Sequence, residues 1–260
     1  MAILFHARPS LVAYVTCGDP DLATTRDIVL AAIEAGADVI ELGVPFSDPL
    51  ADGPVIQRAS ERALRRGTTL AQVIKLAAEV RQKSKAGLIV FSYLNPILRM
   101  GLPKFAAAAT DAGIDGALIT DLPVEEAGDY LREMRKRSLA TVFLAAPISP
   151  DERLKQIAGA SSGFVYAVSR TGVTGVREQL AADARSLVQR LRKHTKLPIA
   201  VGFGISTAAQ FAAVGTFADA AVVGSAIVET IERNVGREAE SVAQFVKQLS
   251  AVSRQPSGKH

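Results

Sequence analysis

Three carboxylates crowd one short stretch of this chain, Glu41-Leu42-Gly43-Val44-Pro45-Phe46-Ser47-Asp48-Pro49-Leu50-Ala51-Asp52-Gly53-Pro54. An apolar, β-prone run over Ala37–Ile40 leads straight into Glu41. A segment stiffened by Gly and Pro follows, carrying Asp48 and Asp52, and a helix opens at Pro54. A carboxylate at the exit of a buried strand is costly unless it is paired or put to use. Held rigidly beside a second acid, it can give and take protons on a bound substrate. The stretch therefore reads as a reaction site rather than as surface decoration.

Such residues need a rigid frame, and the rest of the chain supplies one. Strand-like apolar runs occur at Leu11–Cys17, Ala37–Leu42, Leu88–Tyr93, Gly116–Thr120, Ala140–Ala146, Gly163–Val168, Pro198–Val201 and Ala218–Val223. Amphipathic helical stretches lie between them: Leu22–Ala35, Val55–Arg66 with Leu70–Lys85, Pro103–Ala112, Val124–Arg137, Asp151–Ala160, Leu180–Lys193, Thr207–Val214 and Ala226–Leu249. Most strands are short and do not alternate, so both of their faces should be covered. Eight strands alternating with helices over about 250 residues predict an α/β fold, the (β/α)8 TIM barrel. An open doubly wound sheet is the alternative, but no Gly-x-Gly-x-x-Gly turn follows the first strand. The pattern predicts one barrel domain over residues 1–252 and a frayed polar tail over 253–260.

In a barrel the chemistry sits at the C-terminal ends of the strands. Glu41 closes the second strand, Asp121 the fourth, and Tyr166 lies near the end of the sixth. Glycine turns follow the last two strands, Gly202-Phe203-Gly204-Ile205-Ser206 and Gly224-Ser225-Ala226. Glycines let backbone N–H groups approach an anion, and a helix starting at Ser225 aims its positive end at the same point, so the pair reads as a phosphate cradle. The loop Ser169–Arg177, hinged at Gly172 and Gly175, suits a lid over the site.

Several chemistries drop out. Three histidines and one cysteine show no metal-ligand spacing, so no metal is expected. No lysine ends a strand, which argues against a Schiff base, and no Gly-x-Ser-x-Gly elbow is present. The hydrophobic share of 48% comes in strand-length pieces, too short to span a membrane. The N-terminus lacks signal-peptide order, and the lone Cys17 suits a reducing cytoplasm as a small buried residue. A net charge of +4 invites a nucleic-acid reading. The basic groups (Arg62, Arg65 and Arg66; Arg132, Arg135, Lys136 and Arg137; Arg190, Arg192 and Lys193) fall in helical stretches with few aromatics, as expected of solvated outer faces. General acid–base work on a small phosphorylated substrate remains.

At Glu41–Pro54 the chain strongly resembles the tryptophan synthase alpha subunit family. Thr16-Cys17-Gly18-Asp19-Pro20, Asn95-Pro96, Asp121–Glu126, Ser169–Gly175, Gly202–Ser206 and Gly224–Val228 are similar to that family's segments in the same order, over roughly residues 11–250. The acidic loop is specific to the family; the glycine turns are shared with many phosphate-binding barrels. The resemblance implies a lyase of tryptophan biosynthesis that splits indole-3-glycerol phosphate into indole and glyceraldehyde 3-phosphate. It implies Glu41 as the acid–base carboxylate and Asp52 as acceptor of the indole N–H. Tyr166 and Thr174 would support the site and the lid, and Asp121 would support the lid. Phe203, with Tyr14 and Phe91, would line the indole pocket, while Gly175, Gly204, Gly224 and Ser225 would hold phosphate. It further implies a β-subunit partner in an alpha2-beta2 complex, faced by Asp48, Pro49, Asn95 and Pro123. No cofactor is expected here, pyridoxal phosphate belonging to the β subunit.

Plainer roles compete: Glu41 in a buried ion pair, Asp52 and Asp121 as helix caps, Tyr166 as core. At the level of function, the alternatives are a stand-alone indole-releasing lyase, a catalytically silent barrel that activates a partner, and another phosphate-binding barrel such as a phosphoribosyl isomerase. Two features depart from the family pattern. Only Ala2–Ser10 precedes the first strand where the family carries a helix over the barrel bottom, and the pI near 9.3 is high.

Overall fold

Short β-branched and alanine-rich strands, apolar on both sides, can be covered only by closing on themselves within a ring of helices. The computed structural model describes residue 5 and residues 9–168, 177–202 and 204–253. It shows this closure. Eight strands pair in parallel in chain order, and the eighth returns to the first. They are β1 Ser10–Thr16, β2 Val39–Gly43, β3 Gly87–Ser92, β4 Gly116–Ile119, β5 Ala140–Ala145, β6 Val165–Val168, β7 Ile199–Gly202 and β8 Ala220–Val223. The predicted (β/α)8 barrel is present.

Alternate residues of each strand face the barrel interior. Val12, Val39, Ile89, Leu118, Val142, Phe164 and Val222 fill it, with Ala140, Ala200 and Ala220 giving the larger side chains room. The opposite set, including Leu11, Val15, Ile40, Leu42, Val90 and Val201, packs under the helices. The segment before β1 also contributes to the interior. Phe5 packs on this cluster with its ring 5.6 Å from that of Phe164, so one aromatic side chain plugs the end where the strands begin. Behind it, Pro9 lies so close to Gly215 that a Cβ there has no room.

The start of the barrel carries a repeated tie. The Asp38 carboxylate, just before β2, accepts the Leu11 N–H of β1 at 2.8 Å. Asp115, before β4, accepts Leu88 N–H of β3 at 2.9 Å, and Asp219, before β8, accepts Ile199 N–H of β7 at 2.8 Å. Ser162 Oγ does the same for Thr141 of β5 at 3.0 Å.

Among the described residues eleven helices surround or cap the barrel: α1 Leu22–Ala35, α2 Pro54–Arg65, α3 Leu70–Arg81, α4 Leu94–Met100, α5 Leu102–Asp111, α6 Gly128–Lys136, α7 Asp151–Ala160, α8 Arg177–Arg192, α9 Ala208–Gly215, α10 Ser225–Arg233 and α11 Glu238–Ser253. Capping marks several starts, as at Asp21 for α1 and the reciprocal Thr69–Gln72 and Thr207–Gln210 boxes for α3 and α9. Three boundaries depart from the sequence reading. The helix expected over Ala226–Leu249 is two, broken at Asn234–Gly236, where Gly236 takes φ +81°. The stretch Val124–Arg137 begins as a 3-10 turn over Val124–Glu126, and α6 starts only at Gly128. Leu94–Met100, outside the predicted helical stretches, is a helix. Pro96 sits in its first turn, where its missing N–H costs nothing.

Candidate active site

The register of β1 and β2 sets Tyr14 beside Glu41, both on inward-facing positions near the strand ends. Glu41 is completely buried, and neither carboxylate oxygen has a hydrogen-bond partner among the described residues. The ion-pair alternative therefore finds no support there. Burial alone pushes its carboxyl up to about 8, so the group is mostly protonated at neutral pH and can still be ionised. An acid with that balance can protonate one atom of a substrate and then accept a proton from another.

Asp52 is half-buried in the loop behind β2. Burial raises its carboxyl to about 6, and a hydrogen bond from the Tyr93 hydroxyl, 3.2 Å from Oδ2, works against that rise. The same hydroxyl accepts the Ala51 N–H at 2.9 Å, while Phe46 stacks on the Tyr93 ring with centroids 4.8 Å apart. The acidic loop is thus fastened to the end of β3. Asp52 is not a cap, because Gly53 holds the N-cap position of α2 and no side chain bonds there. Tyr93 is the site residue that the sequence reading missed. Its signal was faint: a polar-tipped aromatic at a strand end, with nothing in sequence tying it to a loop 41 residues away.

Tyr14 and Tyr166 both feel the charges of the two acids. Burial first, and then the charges of Asp52 and Glu41, hold the Tyr14 hydroxyl protonated far above its usual range. The Tyr166 hydroxyl is held up by burial, then by Glu41 and Asp52. Both carboxylates therefore act on both rings. Close backbone approach makes room for these rings: a Cβ on Gly202 would lie 2.5 Å from the Tyr166 hydroxyl, and one on Gly43 would strike that of Tyr14. Phe91 meets Tyr14 edge-on, centroids 5.0 Å apart, and Ile56, Ala59 and Val228 complete an apolar wall. Cys17 behind β1 is buried, which pushes its thiol up and leaves it unreactive, as expected for a small core residue.

Across the mouth, α10 begins at Ser225 with Gly224 as its N-cap and no capping side chain. Gly224 packs on Tyr14, its would-be Cβ 3.4 Å from the tyrosine Cβ. The first N–H groups of such a helix suit an anion. At the neighbouring turn Gly204 takes φ +77°, a conformation that favours glycine, whereas the Ser206 N–H is already given to Gln210 at 2.9 Å. Thr174, Gly175 and Phe203 lie outside the described residues.

Asp121 sits elsewhere. Its Oδ1 accepts the Leu94 N–H at 2.7 Å, so it holds the start of α4 rather than the segment that follows it. Asp48 and Asn95 are exposed, and Pro49 and Pro123 half-buried, on the consecutive segments after β2, β3 and β4, Asn95 in the first turn of α4. Among the described residues no His, Cys, Asp or Glu cluster could hold a metal, and no helix is long and apolar enough to cross a membrane.

Comparison with known proteins accounts for this arrangement. Residues 2–255 match the family model for the tryptophan synthase alpha chain. The tryptophan synthase alpha chain of Solibacter usitatus is 53% identical over 248 residues, 95% of this chain and 91% of that one. That of Geotalea daltonii is 48% identical, covering 90% of this chain and 88% of the other. A crystal structure of the tryptophan synthase complex from Pyrococcus furiosus superposes with a TM-score of 0.87 at 39% identity, over 94% of this chain and 99% of its counterpart. A Mycobacterium tuberculosis tryptophan synthase gives 0.88 at 36%, over 96% and 94%. The chain belongs to the tryptophan synthase alpha chain family, lyases that cleave indole-3-glycerol phosphate.

Proposed function

We propose that this chain splits indole-3-glycerol phosphate by a retro-aldol path run by Glu41 and Asp52. The reaction breaks the bond between the indole ring carbon and the first glycerol carbon. A proton must reach that ring carbon, giving a cationic indolenine, and the hydroxyl proton must leave the glycerol carbon as the bond breaks and an aldehyde forms. Glu41, largely protonated at neutral pH yet ionisable, suits both transfers. Asp52, ionised above about 6, suits acceptance of the indole N–H and stabilisation of the positive ring. Tyr14, Phe91 and Tyr166 supply a flat apolar slot for the indole, with Phe203 added on the strength of the resemblance alone. Gly204, Gly224 and Ser225 take the phosphate, while Gly175 as a phosphate residue and Thr174 and Asp121 as lid residues are assigned on the strength of the resemblance alone. The observation that carries the reading is a fully buried carboxylate without a hydrogen-bond partner among the described residues, in register with Tyr14 and, like the raised acid Asp52, acting on the Tyr166 hydroxyl.

The partner reading rests on the same face. Asp48 and Pro49 stand beside the exposed Leu50 after β2, Asn95 shares α4 with the exposed Leu98, and Pro123 follows β4, with the exposed Ile148 after the next strand, β5. Asp48, Pro49 and Leu50 also line an open cleft of about 690 Å³ with Phe46, Arg58 and Leu64. An exposed apolar rim of this kind suits a protein surface. A β subunit holding the pyridoxal phosphate is the partner proposed, in an alpha2-beta2 assembly. The remaining assignments are one barrel domain over residues 1–252, a cytoplasmic location, and no cofactor in this chain.

The test is indole release from indole-3-glycerol phosphate by the purified chain, with and without β subunit. Wild type should release indole, faster with the partner, and Glu41→Gln should release none while still binding substrate. Undiminished turnover in Glu41→Gln would falsify the acid–base assignment.

A further inference from the structure

The sequence pattern puts Arg62 on a solvated helix face, and the structure does not. From the third turn of α2 its Nε and Nη2 reach both oxygens of Asp19 at 2.8 and 2.7 Å, while Nη1 reaches Glu232 Oε1 at 2.7 Å. Glu232 also receives Nε and Nη2 of Arg58 at 2.9 and 2.7 Å. Asp19 stands in the turn after β1 with only 3% of its side chain exposed, so this is not the solvated pair that adds little. Two-pronged pairs fix direction as well as distance. One guanidinium therefore locks three segments together: the β1 turn, α2, and the last turn of α10.

Those segments matter for where they begin. The first residues of α2 continue the turn that carries Asp52, and α10 begins at the uncapped Gly224–Ser225. On their inner faces the two helices meet at Tyr14, through Ile56 and Ala59 from one and Val228 from the other. The β1 turn is pressed on the end of α2 as well, since Gly18 leaves no room for a Cβ against Thr68. The helices are thus braced near both ends, Asp52 standing just before the start of one and the uncapped Gly224–Ser225 forming the start of the other.

We infer that Arg62 is a positioning residue that sets the separation between Asp52 and the anion-binding turn at Ser225, by tying α2 to α10. This rests on the lyase reading, in which the substrate's indole N–H and phosphate must be held at both points at once. An error of about 1 Å between groups that grip one substrate can cost about a hundredfold in rate. A substrate without the phosphate has no second grip, and for it the separation is irrelevant.

The experiment compares wild type, Arg62→Gln and Arg62→Lys in the full chain. Indole release is measured from indole-3-glycerol phosphate at steady state, and from the dephosphorylated indole-3-glycerol in single turnovers with enzyme in excess. Arg62→Gln should lose about a hundredfold in kcat/KM on the phosphorylated substrate, but only a few-fold on the dephosphorylated one. Arg62→Lys, which keeps the charge and loses the fork, should recover part of the loss. Equal losses on the two substrates would mean a general loss of folded enzyme and would overturn the inference, as would a wild-type rate in either variant. Should Arg62→Gln fail to fold, Arg62→Lys carries the same comparison alone. A wild type that cleaves neither substrate removes the lyase reading, and this inference with it.

Discussion

Replacing Glu41 by glutamine should stabilise the protein, increasingly so as the pH rises. In the native state the Glu41 carboxyl holds its proton to about 8, whereas its ordinary value is 4.5, and the cause is burial, with no hydrogen-bond partner among the described residues. Between those values the unfolded chain has released this proton and the native chain has not, so native stability falls as pH increases. The slope approaches about 1.4 kcal/mol per pH unit, the free energy of a tenfold change in proton activity. From pH 5 to pH 8 the wild type should therefore lose about 3.5 kcal/mol that the variant keeps. Glutamine has nearly the same shape and cannot ionise, and the Tyr14 and Tyr166 hydroxyls that feel the Glu41 charge titrate well above this range. The assay is urea unfolding of the two proteins, followed by circular dichroism at half-unit pH steps. The difference between them should grow steadily above pH 5 and level off above about pH 8. A difference that stays flat across this range would show that Glu41 ionises normally, and the argument from its burial would fail.

Two further outcomes follow from particular contacts. Tyr93→Phe removes the hydrogen bond that favours ionised Asp52, so the carboxyl should rise above its value of about 6. A bond to a charge is worth roughly 1.5–3 kcal/mol, so the acid limb of the pH profile of kcat/KM should move up by about one unit; a profile superimposable on wild type would count against the Tyr93–Asp52 link. Phe5→Ala should lower the unfolding free energy by about 2 kcal/mol, below the full cost of an aromatic deletion because Phe5 is only half-buried, and should leave kcat/KM unchanged. A variant with wild-type stability would show that the barrel base does not depend on that ring.

The fold was written plainly in the sequence because parallel barrel strands are buried on both faces, and such runs carry a strong local signal. All eight appear at or within two residues of their predicted starts. Helix breaks were harder. Asn234–Gly236 carries a clear stop signal, yet it stands inside a helical pattern long enough to hide it. Glu41 and Asp52 could be picked out because acids are rarely placed beside buried strands without a use. Tyr93 and Arg62 could not, because their partners lie 41 and 170 residues away, or 43 in the case of Asp19, and only the closed ring brings them together. The aromatic plug at the base was hidden for a simpler reason. One phenylalanine standing outside any strand or helix has no periodicity to read.

The four ties at the base of the barrel have a consequence for its architecture. Each joins an odd-numbered strand to the even-numbered strand after it, and each is made by the residue at the approach to that second strand. The ring is in this respect four two-stranded staves set side by side. Cutting the chain between β4 and β5 leaves two staves, fully fastened, in either fragment. Halves parted at that seam would each retain their own fastenings on reassembly, whereas a cut between β3 and β4 would divide one.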